Sequence, residues 1–153
     1  MADTVVTVTG LDELIKRLDN AGKPEVIRAA LKGAAAHVKT IVSVYPPSSE
    51  ANVPGQRRWY ERGYGSKWTR RDGTVNGRQS SESLGRKWTV KAQGNYSATI
   101  GNNVSYAPYV HDPEEQTSFH ASRGWKTTKQ VADEEIGRVT EFIVRELDKA
   151  LGG

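Results

Sequence analysis

Two long stretches with helical periodicity place the strongest constraint on how this chain can fold. The first begins at Pro24, which suits the first turn of a helix, and is stopped by Pro46 and Pro47. The second runs from about Thr128 to Leu151. In both, apolar side chains recur at every third or fourth position: Ile27, Ala30, Leu31, Ala34, Val38, Ile41 and Val42, then Ala132, Ile136, Val139, Ile143, Leu147 and Ala150. The sequence therefore predicts two long amphipathic helices, each with one face that must be buried.

Shorter patterns predict the elements against which these helices pack. Residues 4–9 read TVVTVT, a β-branched run typical of a short strand, and apolar spacing after it predicts a short helix that ends near Asn20. Alternating apolar residues predict two antiparallel strands at 87–92 and 96–100, and a third strand at 104–110. We therefore expect an α+β fold in which a small antiparallel β-meander packs against two long helices and one short helix.

Length and composition narrow the class of protein. The 153 residues suit one domain, so we expect residues 1–153 to form a single domain. The chain has no cysteine, which excludes disulfides, thiol catalysis and thiolate metal sites. Its apolar runs are too short to span a bilayer, so no membrane partner is expected.

The basic charge is concentrated in one segment. Between residues 46 and 88 nine basic residues face four acidic ones, a net charge of +5, whereas the whole chain carries +4. Three of the four tryptophans also lie there. Residues 47–84 show no sustained periodicity and predict a long basic loop, with Asp72-Gly73 as the turn of a small ribbon between 67–71 and 74–78. Any contact with a polyanion is expected in this segment.

Few residues suggest site chemistry. His37 lies within the first long helix and is expected to be structural. His111 and His120 flank three acidic residues, Asp112, Glu114 and Glu115, which could hold a metal, although hydrogen bonding or an inter-subunit contact is the favoured alternative. The sequence contains no nucleophile elbow, phosphate-binding loop or dinucleotide fingerprint. We expect no enzymatic activity, no cofactor and no metal.

Basic and aromatic residues alternate within the loop. The residues concerned are Arg57, Arg58, Trp59, Tyr60, Arg62, Lys67, Trp68, Arg70 and Arg71. Arginine beside aromatic rings suits phosphate contact and base stacking, and it equally suits anchoring to a protein partner. The pattern leaves both alternatives open, with a protein partner favoured.

Four motifs, taken in order, resemble the tail-completion or head–tail joining proteins of long-tailed bacteriophages. They are VTVTGLDEL at 6–14 with an alanine-rich helix ending in YPP at 45–47, SESLGRKW at 81–88, IGN at 100–102 with YAPYVH at 106–111, and FHASRGWKT at 119–127. Glu82-Ser83 stands where many members carry Thr-Gly, and His111-Asp112-Pro113 stands where many carry an acidic residue and Gly-Thr.

The resemblance implies a non-enzymatic virion structural protein that assembles in the host cytoplasm. It would form a ring with copies of itself, a hexamer, at the junction of head and tail, and would contact neighbouring head-connector or tail proteins. The loop 53–78 would supply most contacts, and Tyr106, Tyr109 and His111 a second patch. The loop would also touch DNA non-specifically in the ring lumen. The alternative function is a small nucleic-acid-binding protein that uses the same loop.

Overall fold

The computed structural model of the protein describes residues 12–20, 23–53, 67–77 and 83–152. The helices are α1 (Asp12–Asn20), α2 (Pro24–Val42), α3 (Ser83–Arg86), α4 (Pro108–His111), α5 (Ser118–Ser122) and α6 (Thr128–Leu151). The strands are β1 (Lys67–Thr69), β2 (Val75–Gly77), β3 (Trp88–Gln93) and β4 (Ser97–Asn102). The α+β class is therefore confirmed. The predicted strand at 4–9 lies outside the described residues.

The two long helices pack side by side and run in opposite directions. Lys23, just before α2, donates from Nζ to the carbonyl oxygen of Ala150 near the end of α6, at 2.6 Å. Further along, His37 of α2 lies 3.0 Å from the carboxylate of Glu135, which belongs to the first half of α6. Between these two polar contacts, the predicted apolar faces of α2 and α6 pack against each other, as the periodicity requires.

The aliphatic core forms where α2, α6 and the β3–β4 hairpin meet. It consists of the buried residues Ile27, Ala30, Leu31, Ala34, Val38, Val42, Trp88, Ile100, Val131, Val139, Ile143 and Leu147. Glu135 is buried at its margin, where it accepts hydrogen bonds from His37 and Arg138, each at 3.0 Å. The pKa of Glu135 is therefore lowered, chiefly by the hydrogen bond from His37. A buried carboxylate that accepts from two donors, one of them the guanidinium of Arg138, avoids the cost of an unpaired charge.

The central sheet is a two-stranded hairpin rather than the predicted meander. β3 and β4 pair antiparallel from Trp88 opposite Asn102 to Gln93 opposite Ser97. The predicted third strand at 104–110 is wrong, because the chain turns after β4 and forms α4. The Asn102 side chain accepts a hydrogen bond from the backbone N–H of Val104 at 3.0 Å, and this turn ends the strand. Pro108 cannot donate to a strand ladder, whereas its fixed φ suits the first turn of a helix.

The predicted ribbon in the basic segment is present. β1 and β2 pair antiparallel over three residues each, somewhat shorter than the predicted 67–71 and 74–78. In the turn, Asp72 accepts hydrogen bonds from both the backbone N–H and the hydroxyl of Thr74, and Gly73 adopts a positive φ of 83°. These bonds, the hydroxyl first, lower the pKa of Asp72. The Asp-Gly signal therefore marks a real hairpin.

No helix within the described ranges combines the length and the hydropathy needed to cross a membrane.

Candidate assembly surface

Four aromatic side chains from distant parts of the chain meet at the end of the fold where α2 finishes. We call Tyr45, Trp88, His111 and Trp125 the aromatic cluster. Neighbouring rings meet edge to face, with centroids 5.0 Å apart for Tyr45 and Trp125, 5.2 Å for Trp88 and His111, and 5.4 Å for His111 and Trp125. This geometry is the one that ring quadrupoles favour.

The connections between the short helices hold the cluster in place. Asp112 caps the turn after α4 by accepting from the backbone N–H of Glu114 and of Glu115. Gln116 then donates from Nε2 to two carbonyl oxygens, that of Val110 at 2.7 Å and that of Trp125 at 2.9 Å. One partly buried amide therefore links the end of α4 to the segment that enters α6.

The start of α6 is fixed by a capping box. The Thr127 hydroxyl accepts from the backbone N–H of Gln130, and the Gln130 side chain accepts from the backbone N–H of Thr127 at 2.8 Å. The next residue, Thr128, is buried and donates its hydroxyl to the carbonyl oxygen of His111 at 3.2 Å. The longest helix is thus anchored directly to the aromatic cluster.

His111 lies in the interior, which corrects its expected place among the contact residues. Its side chain is only 4% exposed, and Nδ1 donates to the carbonyl oxygen of Lys126 at 2.9 Å. Nε2 has no hydrogen-bond partner among the described residues. Burial lowers the pKa of His111, because a proton on Nε2 would place an unpaired charge in the interior. His111 therefore packs inside the aromatic cluster, between the rings of Trp88 and Trp125, and is not itself exposed.

His120 ties α5 to α4 at the edge of the cluster. Its ring donates to the carbonyl oxygen of Tyr109, and Nδ1 lies 2.7 Å from the Thr117 hydroxyl, which donates to it. Partial burial lowers the pKa of His120. His111 and His120 therefore both meet Trp125 edge to face, with ring centroids 5.4 and 6.4 Å from its own. Within the part of the chain that is described, no group of three or more histidine or carboxylate residues is placed to hold a metal ion.

Two tyrosines project from the aromatic cluster into solvent. Tyr106 is 47% exposed and Tyr109 is 52% exposed, while Ala107 and Val110 beside them are buried. We call Tyr106 and Tyr109 the tyrosine patch. Its partial burial against the protein raises the pKa of Tyr106, with a smaller contribution from neighbouring Tyr45. The patch is therefore a pair of amphipathic rings on a rigid base, the kind of surface enriched at protein interfaces.

The basic residues of the predicted contact loop are described only in part. Arg70 and Arg71 are exposed at the turn of the β1–β2 hairpin. Lys67 and Trp68 lie in β1, but their side chains are outside the described residues. The other predicted contact residues, Arg57, Arg58, Trp59, Tyr60 and Arg62, also lie outside them. The structure thus presents two chemically different surfaces, a hairpin turn with two arginines and the tyrosine patch.

Sequence reasoning found the tyrosine patch but missed its base. Tyr45, Trp88 and Trp125 are separated by more than thirty residues each and have no common periodicity. The available signal was the concentration of aromatic residues in the motifs at 45–47, 81–88 and 119–127. Comparison with protein-family models, with curated proteins and with solved structures finds no match.

Proposed function

We propose that this protein is a non-enzymatic structural component of a phage particle that forms a ring at the junction of head and tail. The observation that carries the proposal is the tyrosine patch: two half-exposed tyrosines mounted on a buried aromatic base. The four ordered motifs that resemble tail-completion proteins support placing this patch in a phage particle. In this role the protein belongs to the virion and assembles in the host cytoplasm.

The chemistry of the two surfaces supports ring formation. Tyrosine and arginine are the residue types that most often anchor protein interfaces. The tyrosine patch is aromatic, and the hairpin turn at Arg70 and Arg71 is cationic. When one patch binds a different patch on the next copy, contacts are heterologous and close into a ring. We propose a hexamer with head-connector or tail proteins as neighbours, and a non-specific contact between the arginines and DNA in the lumen.

The decisive experiment is electron microscopy of lysates from a phage or prophage that lacks this gene. We expect separate filled heads and finished tails, with joined particles restored by the wild-type gene. Intact infectious particles without the gene would overturn the proposal.

Complementation with variants tests the tyrosine patch itself. Tyr106→Ser with Tyr109→Ser is expected to lower the yield of joined particles by about a hundredfold, since two interface anchors each contribute on the order of 1–2 kcal/mol. The matched control is Ile136→Ser with Leu151→Ser, which removes two exposed apolar side chains of α6, away from both proposed contact surfaces. Equal yields from both variants would show that the patch does not take part in assembly.

The second candidate function, binding of nucleic acid, is favoured by one observation, the exposure of both Arg70 and Arg71 at a tight turn. It predicts tryptophan quenching by a single-stranded oligonucleotide and an affinity that falls steeply with salt. Arg70→Ser with Arg71→Ser should weaken that affinity, whereas Lys32→Ser with Lys91→Ser, two exposed lysines elsewhere, should change it less. Binding of this kind in a protein whose deletion leaves particles intact would favour the second function.

A further inference from the structure

Three carboxylates lie in the turn that follows α4, just after the tyrosine patch in the chain. They belong to Asp112, Glu114 and Glu115, and we call these residues the acidic turn. The Asp112 side chain accepts hydrogen bonds from the backbone N–H of Glu114 at 2.8 Å and of Glu115 at 3.2 Å, which fixes the backbone of the turn. Both glutamates are exposed, so their side chains project from this turn into solvent.

A backbone hydrogen bond closes the acidic turn onto the tyrosine patch. The N–H of Thr117 donates to the carbonyl oxygen of Tyr109 at 3.0 Å, so the chain returns to the patch just after the turn. Glu115 is only two residues from Thr117, a Cα separation of about 7 Å at most. Gln116 adds a second link, because its Nε2 donates to the carbonyl oxygen of Val110 at 2.7 Å. The tyrosine patch and the acidic turn therefore lie on the same part of the surface.

This combined surface is negative and aromatic. Residues 104–117 contain three acidic residues and no lysine or arginine, and the histidine among them, His111, is buried. The face of an exposed tyrosine ring attracts a guanidinium, and carboxylates bind it through paired hydrogen bonds. Arginine uses both interactions at once, because its guanidinium is planar and always charged. The surface thus has the chemistry of an arginine-binding site.

The same chain carries a surface of the opposite kind at the turn of the β1–β2 hairpin. Residues 67–77 contain three basic residues and one acidic residue, a net charge of +2. Arg70 and Arg71 are exposed, and the Arg70 N–H holds the turn by donating to the carbonyl oxygen of Thr74 at 2.8 Å. The carboxylate of Asp72 accepts from the Thr74 hydroxyl at 2.6 Å and so is used within the turn. The two guanidinium groups are therefore presented on a preformed backbone, which reduces the entropy lost on binding.

We propose that the acidic turn and the tyrosine patch of one copy bind Arg70 and Arg71 of a second copy of this chain. Charge complementarity identifies the occupant, since one chain carries both halves of the contact. The contact is heterologous, so each pair of copies keeps one further surface of each kind and can continue into a ring. This inference rests on the proposed function, for which it specifies the contact between subunits.

Self-association of the purified full chain, measured by sedimentation, tests the proposal. The wild type should associate with a dissociation constant below about 1 mM. Glu114→Arg with Glu115→Arg should weaken association on the order of a hundredfold, because like charges then face each other across the contact. Arg70→Glu with Arg71→Glu should weaken it to the same extent for the same reason. A wild type that stays monomeric at about 1 mM, or undiminished association of both variants, would overturn the proposal.

Matched controls make the same changes of net charge elsewhere. Glu141→Arg with Asp148→Arg and Lys32→Glu with Lys91→Glu should each change the affinity by less than about threefold at about 0.15 M salt, where charges more than about 8 Å apart are largely screened. All eight positions are exposed, so we expect every variant to fold, which circular dichroism checks. Equal losses in the controls and the contact variants would mean that net charge alone governs association, against the proposed contact.

An equimolar mixture of the two contact variants identifies the pairing. Each variant then finds a complementary surface only on the other, so association should return to within about tenfold of the wild type. A chain that carries all four substitutions should associate equally well. If the mixture stays monomeric, the two surfaces do not bind each other between copies, and the proposal is wrong.

Failure of this inference is distinguishable from failure of the proposed function. Intact particles after gene deletion, together with a mixture that associates, would reject the phage role and keep the contact between copies. Separate heads and tails after deletion, together with a mixture that stays monomeric, would keep the phage role and reject this contact.

Discussion

The aliphatic core and the aromatic cluster are built in different ways, although Trp88 takes part in both. The aliphatic core joins two helices of 19 and 24 residues and a hairpin, and its members recur with the period of their elements. The aromatic cluster joins short helices and connecting turns, and depends on the hydrogen bonds of buried His111 and partly buried Gln116. The first region is stabilised by apolar area, whereas the second also needs specific hydrogen bonds.

We therefore expect the aliphatic core to determine stability and the aromatic cluster to determine the position of the tyrosine patch. The aliphatic core can lose or gain a methyl group and still bring the same elements together. The aromatic cluster positions the tyrosine patch, and its polar groups have few alternative partners once buried. Four substitutions, from the largest expected effect to the smallest, test that distinction.

The largest effect is expected in the aliphatic core. Ile143 is 1% exposed, so Ile143→Ala should lower the free energy of unfolding by about 3 kcal/mol through lost burial and a residual cavity. Urea unfolding measures this loss. The control is Val75→Ala, at an exposed apolar residue of the β1–β2 hairpin, where a change within about 0.5 kcal/mol is expected. Similar losses for both would mean that the α2–α6 face is not the main source of stability.

A smaller effect is expected where Phe142 of α6 packs over Gly33 of α2. A methyl group at Gly33 would lie 2.8 Å from Cζ of Phe142, so Gly33→Ala should cost about 1 kcal/mol net of its gain in helix propensity. The control is Gly137→Ala, at a helical glycine with open space around it, which should stabilise the protein by about 1 kcal/mol.

A double-mutant cycle identifies the cause of that loss. In a Phe142→Leu background, Gly33→Ala should become neutral or stabilising, because the shorter side chain removes the collision. The same cost in both backgrounds would show that some contact other than Phe142 requires the glycine.

A substitution in the capping box tests the junction between the aliphatic core and the aromatic cluster. Thr127→Ala removes both the hydroxyl that accepts from Gln130 and the start signal of α6, and should lower the unfolding free energy by about 1 kcal/mol. Thr140→Ala, within the same helix, should instead stabilise by a few tenths of a kcal/mol. Thermal unfolding distinguishes the two, and a loss of the same size at both sites would argue against a specific role for the cap.

The smallest effect concerns pH and the aromatic cluster alone. The pKa of His111 is lowered by burial, so the unfolded chain takes up a proton at the ordinary value of 6.5 before the folded chain does. The stability that His111 contributes is therefore complete above pH 6.5 and is lost as the pH falls below it. His111→Asn keeps an amide donor for the Lys126 carbonyl oxygen and removes the titration.

Urea unfolding from about pH 7 to about pH 5.5 should show a shallower decline for His111→Asn than for the wild type. His120, whose pKa is also lowered by burial, contributes to the decline of both proteins, so the difference between them reports His111. The carboxylates with lowered pKa values, Asp72, Glu135 and Glu146, act at lower pH. Identical declines in the two proteins would contradict the assigned burial effect.

Much of the fold could be predicted from periodicity and turn chemistry. The predicted range of α6, from about Thr128 to Leu151, is confirmed, and so is the hairpin at Asp72-Gly73. The third strand was predicted wrongly because the segment 104–110 follows two alternating strands and a turn at Asn102-Asn103, whereas Pro108 and the turn after Asn102 favour a helix. Here the helix buries Ala107 and Val110, three positions apart. A seven-residue segment is too short for that spacing to be distinguished from the alternation of a strand.

The candidate site could be predicted only in part. Tyr106 and Tyr109 are exposed as a contact patch requires, but His111, two residues further on, is buried. One turn of helix, which begins at Pro108, places Val110 and His111 inward and Tyr109 outward. The burial of His111 depends on Trp88 and Trp125, which approach from opposite ends of the second half of the chain.

By itself, the sequence determined the two long helices, the hairpins and the segregation of basic charge, because these depend on spacing and turn residues close together in the chain. Only the tertiary structure decided which aromatic rings meet, which histidine is buried and that a groove forms between β4 and α6. The physical reason is that ring contacts, desolvation and strand pairing depend on groups distant in sequence, whose approach is set by how α2 and α6 pack.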